Sequence, residues 1–369
     1  MTPAPSADRP IAPQDAARLA WVDVAKGLCI VLVVMMHSTL GTGEVLGGEG
    51  VLHDVVAFAK PFRIPDFFLL SGLFLGRVID RDWRLFADRR LVHFAYFYGL
   101  WVLIQSSLKS SAIVAGTGGA GDALAALGFH FALALVEPYS TLWFIYLLSL
   151  FSVATKLLHR RVPPMLLLAG AALLQILPHH GLPTLAEEFC DRYVYFLGGW
   201  LFAGRIVAFA DWVRGRVGTA LAGLALWAAI DAVFAFTPTG LAAYPTWASL
   251  PIVSLALGCL GAMAIVAVAA LLTRADGPVT AALRACGRRS IVIYLAFFLP
   301  MALTRTLIAR FAGDIDVGLA SGLVTVVAVT TPLVFERAIR GSALGFLFVR
   351  PAAFHIAPAP RDRDALQAA

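Results

Sequence analysis

The stretch KGLCIVLVVMMH, Lys26 to His37, sets a cation and a titratable imidazole inside an otherwise apolar run from about residue 22 to 42. A run of that length and composition is a membrane-spanning helix, so both groups must be accommodated in or beside lipid. At about 100° and 1.5 Å per residue, the step from Lys26 to His37 returns to nearly the same helix face, about 16 Å further along the axis. One stripe of the helix therefore carries a charge near its start and an imidazole towards its far end.

The rest of the chain agrees with a membrane assignment. Of its 369 residues, 60% are hydrophobic and only 14% charged, with a mean hydropathy of +0.81, whereas soluble domains carry roughly a quarter charged residues. Apolar runs near 22–42, 55–79, 90–109, 141–158, 163–178, 193–210, 217–237, 250–273, 289–309 and 317–336 predict an all-α polytopic bundle of about ten transmembrane helices. A further apolar stretch, 120–136, follows a Gly-rich segment and ends at Glu137-Pro138, and is read as re-entrant or interfacial.

Basic residues fall in alternate loops. Twenty-three of the 29 Lys and Arg lie on one side of this topology, leaving Lys60, Arg63, Lys109, Arg192, Arg305 and Arg310 on the other. The positive-inside rule then puts both termini in the cytoplasm. It also explains the net charge of +6 without nucleic acid, which is excluded as a partner, and names the lipid bilayer instead. Residues 1–20, polar and rich in Pro and Ala with no secretory h-region, are expected to be a disordered tail; 21–340 form one transmembrane domain and 341–369 a cytoplasmic C-terminal tail. Cys29, Cys190, Cys259 and Cys286 are too scattered for a metal site or a disulfide framework and are expected to fill apolar space.

Ionisable groups within spans are functional candidates by default. A neutral imidazole at His37 can take a proton from a hydroxyl; its plainer role is a buried histidine bonded to a neighbouring helix. PFRIPDFFLLSG, Pro61 to Gly72, brings Arg63 to a similar depth. Its two prolines break helical hydrogen bonds, and irregular backbone at membrane depth is tolerated where it lines a cavity or is buried in protein. A guanidinium there can hold an anion or a developing oxyanion, anchor to a lipid headgroup, or be neutralised by Asp66. Trp143 and Tyr146 in STLWFIYLL, and the aromatics and glycines of YVYFLGGWLFAGR, fit an interfacial aromatic belt, with a substrate platform as the alternative use. His93, His130, His179 and His180 lie near span ends or in loops, where solvated or interfacial roles are expected. No phosphate-cradling Gly loop, zinc-type histidine pair or nucleophile elbow is present in the sequence.

DVAKGLCIVLVVMMH, PFRIPDFFLLSG, TLWFIYLLSLF, YFLGGWLFAG and CGRRSIVIYL, in that order, resemble the motifs of the membrane-bound acyltransferase 3 family across residues 21 to about 300. The family's basic residue, ten intervening positions and histidine correspond to Lys26 and His37. Lysine replaces the commoner arginine, as in the fucose 4-O-acetylase-like and glucan-succinylating branches. The resemblance implies transfer of an acyl group, often acetyl, from acyl-CoA to a hydroxyl of a carbohydrate or lipid-linked glycan, with no bound cofactor or metal, at a bacterial inner membrane. It implies His37 as general base, Lys26 as attractor of the anionic donor and Arg63 as a group for the acceptor or the oxyanion. Trp143, Tyr146, Ser71 and Tyr294 are then substrate-binding candidates. Two departures stand out: Phe297 where relatives often carry a histidine three residues after the tyrosine of the SxxIY motif, and Asp66 at a usually apolar position. The competing reading is a transporter with Lys26, His37 and Arg63 as a proton or anion pathway; the lack of an internal repeat counts against it, and an inert scaffold would need no such stripe.

Overall fold

The protein is described here by a computed structural model, covering residues 20–114, 119–179 and 181–357. His180, the N-terminal stretch 1–19 and residues 358–369 lie outside that description. Almost every element is helical. In chain order they are α1 (Ala20–Leu46), α2 (Val51–Ala59), α3 (Pro65–Gly72), α4 (Trp83–Leu108), α5 (Ala120–Val136), α6 (Trp143–Leu158), α7 (Pro164–Ile176) and α8 (Thr184–Leu201). There follow α9 (Ala203–Gly215), α10 (Val217–Phe236), α11 (Pro251–Ala275), α12 (Pro278–Arg288), α13 (Ser290–Ala296), α14 (Phe298–Phe311) and α15 (Val317–Ile339). Strands Pro238–Leu241 and Tyr244–Thr246 form a two-stranded antiparallel hairpin between α10 and α11.

Six helical stretches among the described residues are long and apolar enough to cross a membrane, and eight if each of two bent pairs is one span. The expected ten is not reached, for local reasons. The run at 55–79 is divided: α2 stops at Ala59, and Pro65 starts α3 at its first turn, where a missing N–H costs nothing. The run at 163–178 yields a helix of 13 residues, and the run at 193–210 straddles a 75° bend between α8 and α9. The stretch 120–136 forms α5, continuing past a break at Glu137–Leu142 into α6.

Helix α1 is the hub, packing against α12, α15, α11, α13 and α14. Its approach to α12 is set by two glycines: a Cβ on Gly27 would overlap the Leu283 carbonyl, and one on Gly287 would overlap the Asp23 carbonyl. A second close crossing joins α3 to α8, where a Cβ on Gly72 would strike the Phe196 carbonyl and one on Gly199 the Leu69 carbonyl. The glycine of GGW thus holds α3, with Ser71, tight against the bundle. A large apolar cluster including Phe68, Phe144, Phe151, Phe196, Tyr294 and Phe297 fills the space between these elements.

Candidate active site

Lys26 and His37 share one unbroken helix, so the axial separation of about 16 Å expected from helical geometry holds. The two ends of that stripe have different surroundings.

At the Lys26 end, three cations converge on one aromatic residue. The Lys26 ammonium lies 4.9 Å from the Phe74 ring centroid and the Arg77 guanidinium 4.7 Å from it, while Arg90 donates to the Phe74 carbonyl at 3.0 Å. No carboxylate lies within ion-pair distance of any of the three among the described residues; Asp23, one turn before Lys26, is bound to Arg288 at 3.1 Å. Like charges gathered this closely repel one another; the Asp23 carboxylate one turn away and the face-on ring of Phe74 offset part of that cost.

Beside it opens a cavity of about 170 Å³ lined by Lys26, Ser71, Phe67, Phe144, Ile145 and Tyr294, among others. Lys26, Ser71 and Tyr294, distant in sequence, are thus brought together. The Ser71 hydroxyl donates to the Phe67 carbonyl at 2.8 Å and the Tyr294 hydroxyl to the Thr141 carbonyl, so both are held by backbone rather than by other side chains. Trp143 and Tyr146 do not line this cavity. Trp143 packs against Phe68 at 6.1 Å, and Tyr146 lies against Tyr98 at 5.2 Å and donates to the Leu135 carbonyl at 2.9 Å. The residues that α6 turns into the cavity are Phe144, Ile145 and Leu148.

At the other end, the His37 ring packs on Phe297, centroids 5.5 Å apart. Phe297 is fully buried at the 51° bend between α13 and α14. His37 has no hydrogen-bond partner among the described residues, and its ring contact is with Phe297. The Arg63 guanidinium is near enough for its charge to act on the imidazole. Arg63 is itself buried, donating to the Val56 carbonyl at 3.3 Å and leaving its Nε unpartnered. His37 and Arg63 do not line the cavity at Lys26.

Asp66 is near enough for its charge to act on Arg63, but no ion pair within about 4 Å joins them among the described residues. It is fully buried and lies beside the Cys29 thiol and the Phe67 backbone, with no close hydrogen bond to either carboxylate oxygen among the described residues. Next to His37, the hydroxyls of Ser38, Thr39 and Thr42 are buried without partners, as is that of Ser321 on α15, the helix packed along α1. Buried hydroxyls are rarely left so, and three of these four follow His37 within five residues of sequence. The signal was present in the sequence as HSTLGT directly after the apolar run, but its direction was not. Arg77 and Arg90 also escaped sequence reasoning, which counted them only as loop charges. His93 is half-buried, with its ring 5.1 Å from that of Phe97.

Comparison with known proteins agrees with the motif order. A family model described as an acyltransferase domain (Acyl_transf_3) matches residues 19–337. An inner membrane protein of Escherichia coli (strain K12), YcfT, is 27% identical over 213 residues, covering 50% of this chain and 56% of that protein. The chain thus aligns with little more than half of that relative. No solved structure matches. With the family model spanning the whole helical bundle, from the start of α1 almost to the end of α15, this multi-pass membrane chain belongs to the acyltransferase 3 family.

Proposed function

We propose that the protein is an O-acyltransferase that moves an acyl group, acetyl in the simplest case, from acyl-CoA to a hydroxyl of a carbohydrate or lipid-linked glycan. The observation that carries this reading is the division of labour along α1: a cationic cluster with a cavity at Lys26, and an unbonded imidazole flanked by Arg63 at His37. The positive-inside rule orients the Lys26 end towards the cytoplasm of a bacterial inner membrane, where acyl-CoA is made. Lys26, Arg77 and Arg90 take the donor's phosphates, and the cavity beside them takes the start of its pantetheine arm.

Extended along the α1 stripe, that arm brings the thioester towards His37. The imidazole accepts the proton of the acceptor hydroxyl as its oxygen attacks the thioester carbonyl. Arg63 faces the oxyanion of the tetrahedral intermediate. Collapse expels CoA thiolate, the imidazolium returns the proton to it, and the ester leaves from the outer side. The buried, unpartnered hydroxyls of Ser38, Thr39 and Thr42, directly after His37, and of Ser321 on the helix packed against α1 are groups for binding the acceptor.

The test is binding of acetyl-CoA and release of free CoA by the purified protein, compared with His37→Ala and Lys26→Ala. Donor binding that survives His37→Ala, with CoA release lost, supports the reading. A well-folded wild type that binds no short acyl-CoA sinks it and leaves the same residues as a transport pathway.

A further inference from the structure

Arg90 reaches the Phe74 carbonyl from a π-helical turn, Asp88–Val92, inside α4. A π turn inserts an extra residue and so swings everything after it around the helix relative to what precedes; such turns persist only where their surroundings hold them. What holds this one comes from the far end of the chain. Arg350 donates to the Asp88 carbonyl at 2.9 Å and to its carboxylate at 2.8 Å, and the Ile356 N–H donates to the other carboxylate oxygen at 2.8 Å. Arg350 also meets His355 Nδ1 at 3.0 Å, and Arg84 donates to the Ile356 carbonyl. Arg350 and Asp88 are both buried.

The strap carrying Arg350 runs on past this pair. Tyr96 donates to the Phe346 carbonyl at 3.0 Å and Trp101 Nε1 to the Leu347 carbonyl at 3.1 Å, so residues 346–356 lie along α4 from its π turn to its middle. This segment begins beyond residue 337, where the family match ends. A buried ion pair is poor evidence for stability in itself, but here it is bonded to the backbone of the one irregular turn that aims a member of the cationic cluster.

We propose that Arg350 is a positioning residue for donor binding: by clasping Asp88 across its carbonyl and carboxylate, it fixes the π turn so that Arg90 joins Lys26 and Arg77 around Phe74. This rests on the reading of that cluster as the seat of the donor's phosphates. It predicts an effect confined to donors that carry phosphate.

The experiment measures acetyl-CoA binding by full-length protein in detergent, and CoA or pantetheine release from acetyl-CoA and acetyl-pantetheine, in wild type, Arg90→Ala, Arg350→Ala and the double variant. Arg350→Ala is expected to weaken acetyl-CoA binding about tenfold, with the double variant no weaker than Arg90→Ala alone because the two act through one element. Acetyl-pantetheine turnover should stay within about twofold of wild type, which a general loss of folding would not allow. If Arg350→Ala yields no folded protein, Arg350→Lys keeps the charge but cannot bridge carbonyl and carboxylate together. It is expected to raise the KM for acetyl-CoA and leave kcat alone. Arg90→Ala weakening the donor while both Arg350 variants bind it normally overturns the positioning role and leaves the donor seat standing. Normal binding in Arg90→Ala, Arg77→Ala and Lys26→Ala together overturns the seat, and this inference with it.

Discussion

His37 and Phe297 lie ring against ring, centroids 5.5 Å apart and planes inclined at 35°. The position at which the family resemblance leads one to expect a histidine is therefore next to the proposed base and supplies an apolar wall there. Phe297 is expected to orient His37 without touching protons. Phe297→Leu should lower kcat about tenfold with donor KM unchanged, whereas Phe297→Ala should also destabilise the fold by about 3–5 kcal/mol, the usual cost of emptying a buried phenyl site. Steady-state kinetics together with detergent-solubilised melting curves separate the two effects.

The cationic cluster predicts a salt-sensitive donor site. Arg77→Ala and Lys26→Ala should each raise the acetyl-CoA KM by about tenfold and flatten its dependence on ionic strength, since partly exposed phosphate contacts are screened by salt. Unchanged salt dependence in both variants would contradict the assignment.

Arg63 leaves its Nε unpartnered close to the imidazole. Arg63→Ala should lower kcat about 10²–10³-fold, the cost of losing one oxyanion contact, with donor binding intact. Asp66 forms no ion pair with it among the described residues, so Asp66→Asn should leave kcat within about threefold of wild type and should not reduce stability, because a buried carboxyl outside a close ion pair gains little from its charge.

Gly27 and Gly287 face carbonyl oxygens across the α1–α12 crossing. Gly287→Ala should destabilise by about 1–3 kcal/mol through backbone displacement and loosen Asp23 and Arg288 from their pairing. Gly99→Ala, which meets open space in the same chain, serves as the control and should be neutral or slightly stabilising in a thermal melt.

Much of this arrangement was legible in the sequence wherever local chemistry determines structure. The apolar run around Lys26 and His37 forms one helix as its composition requires, and Pro61 and Pro65 mark the break between α2 and α3. Span number was less legible, because apolar length does not reveal a bend such as those after Leu201 and at Phe297. Within the site, Lys26, Ser71 and Tyr294 line one cavity, which their places in sequence did not reveal, while Trp143 and Tyr146 point elsewhere and Phe144 and Ile145 take the cavity face. A rotation of one residue about α6 decides that, and it is set by packing against Phe68 and Tyr98. Arg77 and Arg90 were visible only as loop charges: Arg77 meets Phe74 through the short turn Leu75–Arg77, and Arg90 reaches the same residue from a π turn that no local pattern encodes.

The central claim is that His37 performs the chemistry on a donor held some 16 Å away, at Lys26. The most direct measurement is single-turnover release of CoA from pre-bound acetyl-CoA in wild type and His37→Ala, with donor affinity measured in parallel. The account predicts equal affinity and a loss in release rate of about 10²–10⁴-fold in the variant, the range expected on removing a general base. Equal release rates at equal occupancy would contradict it.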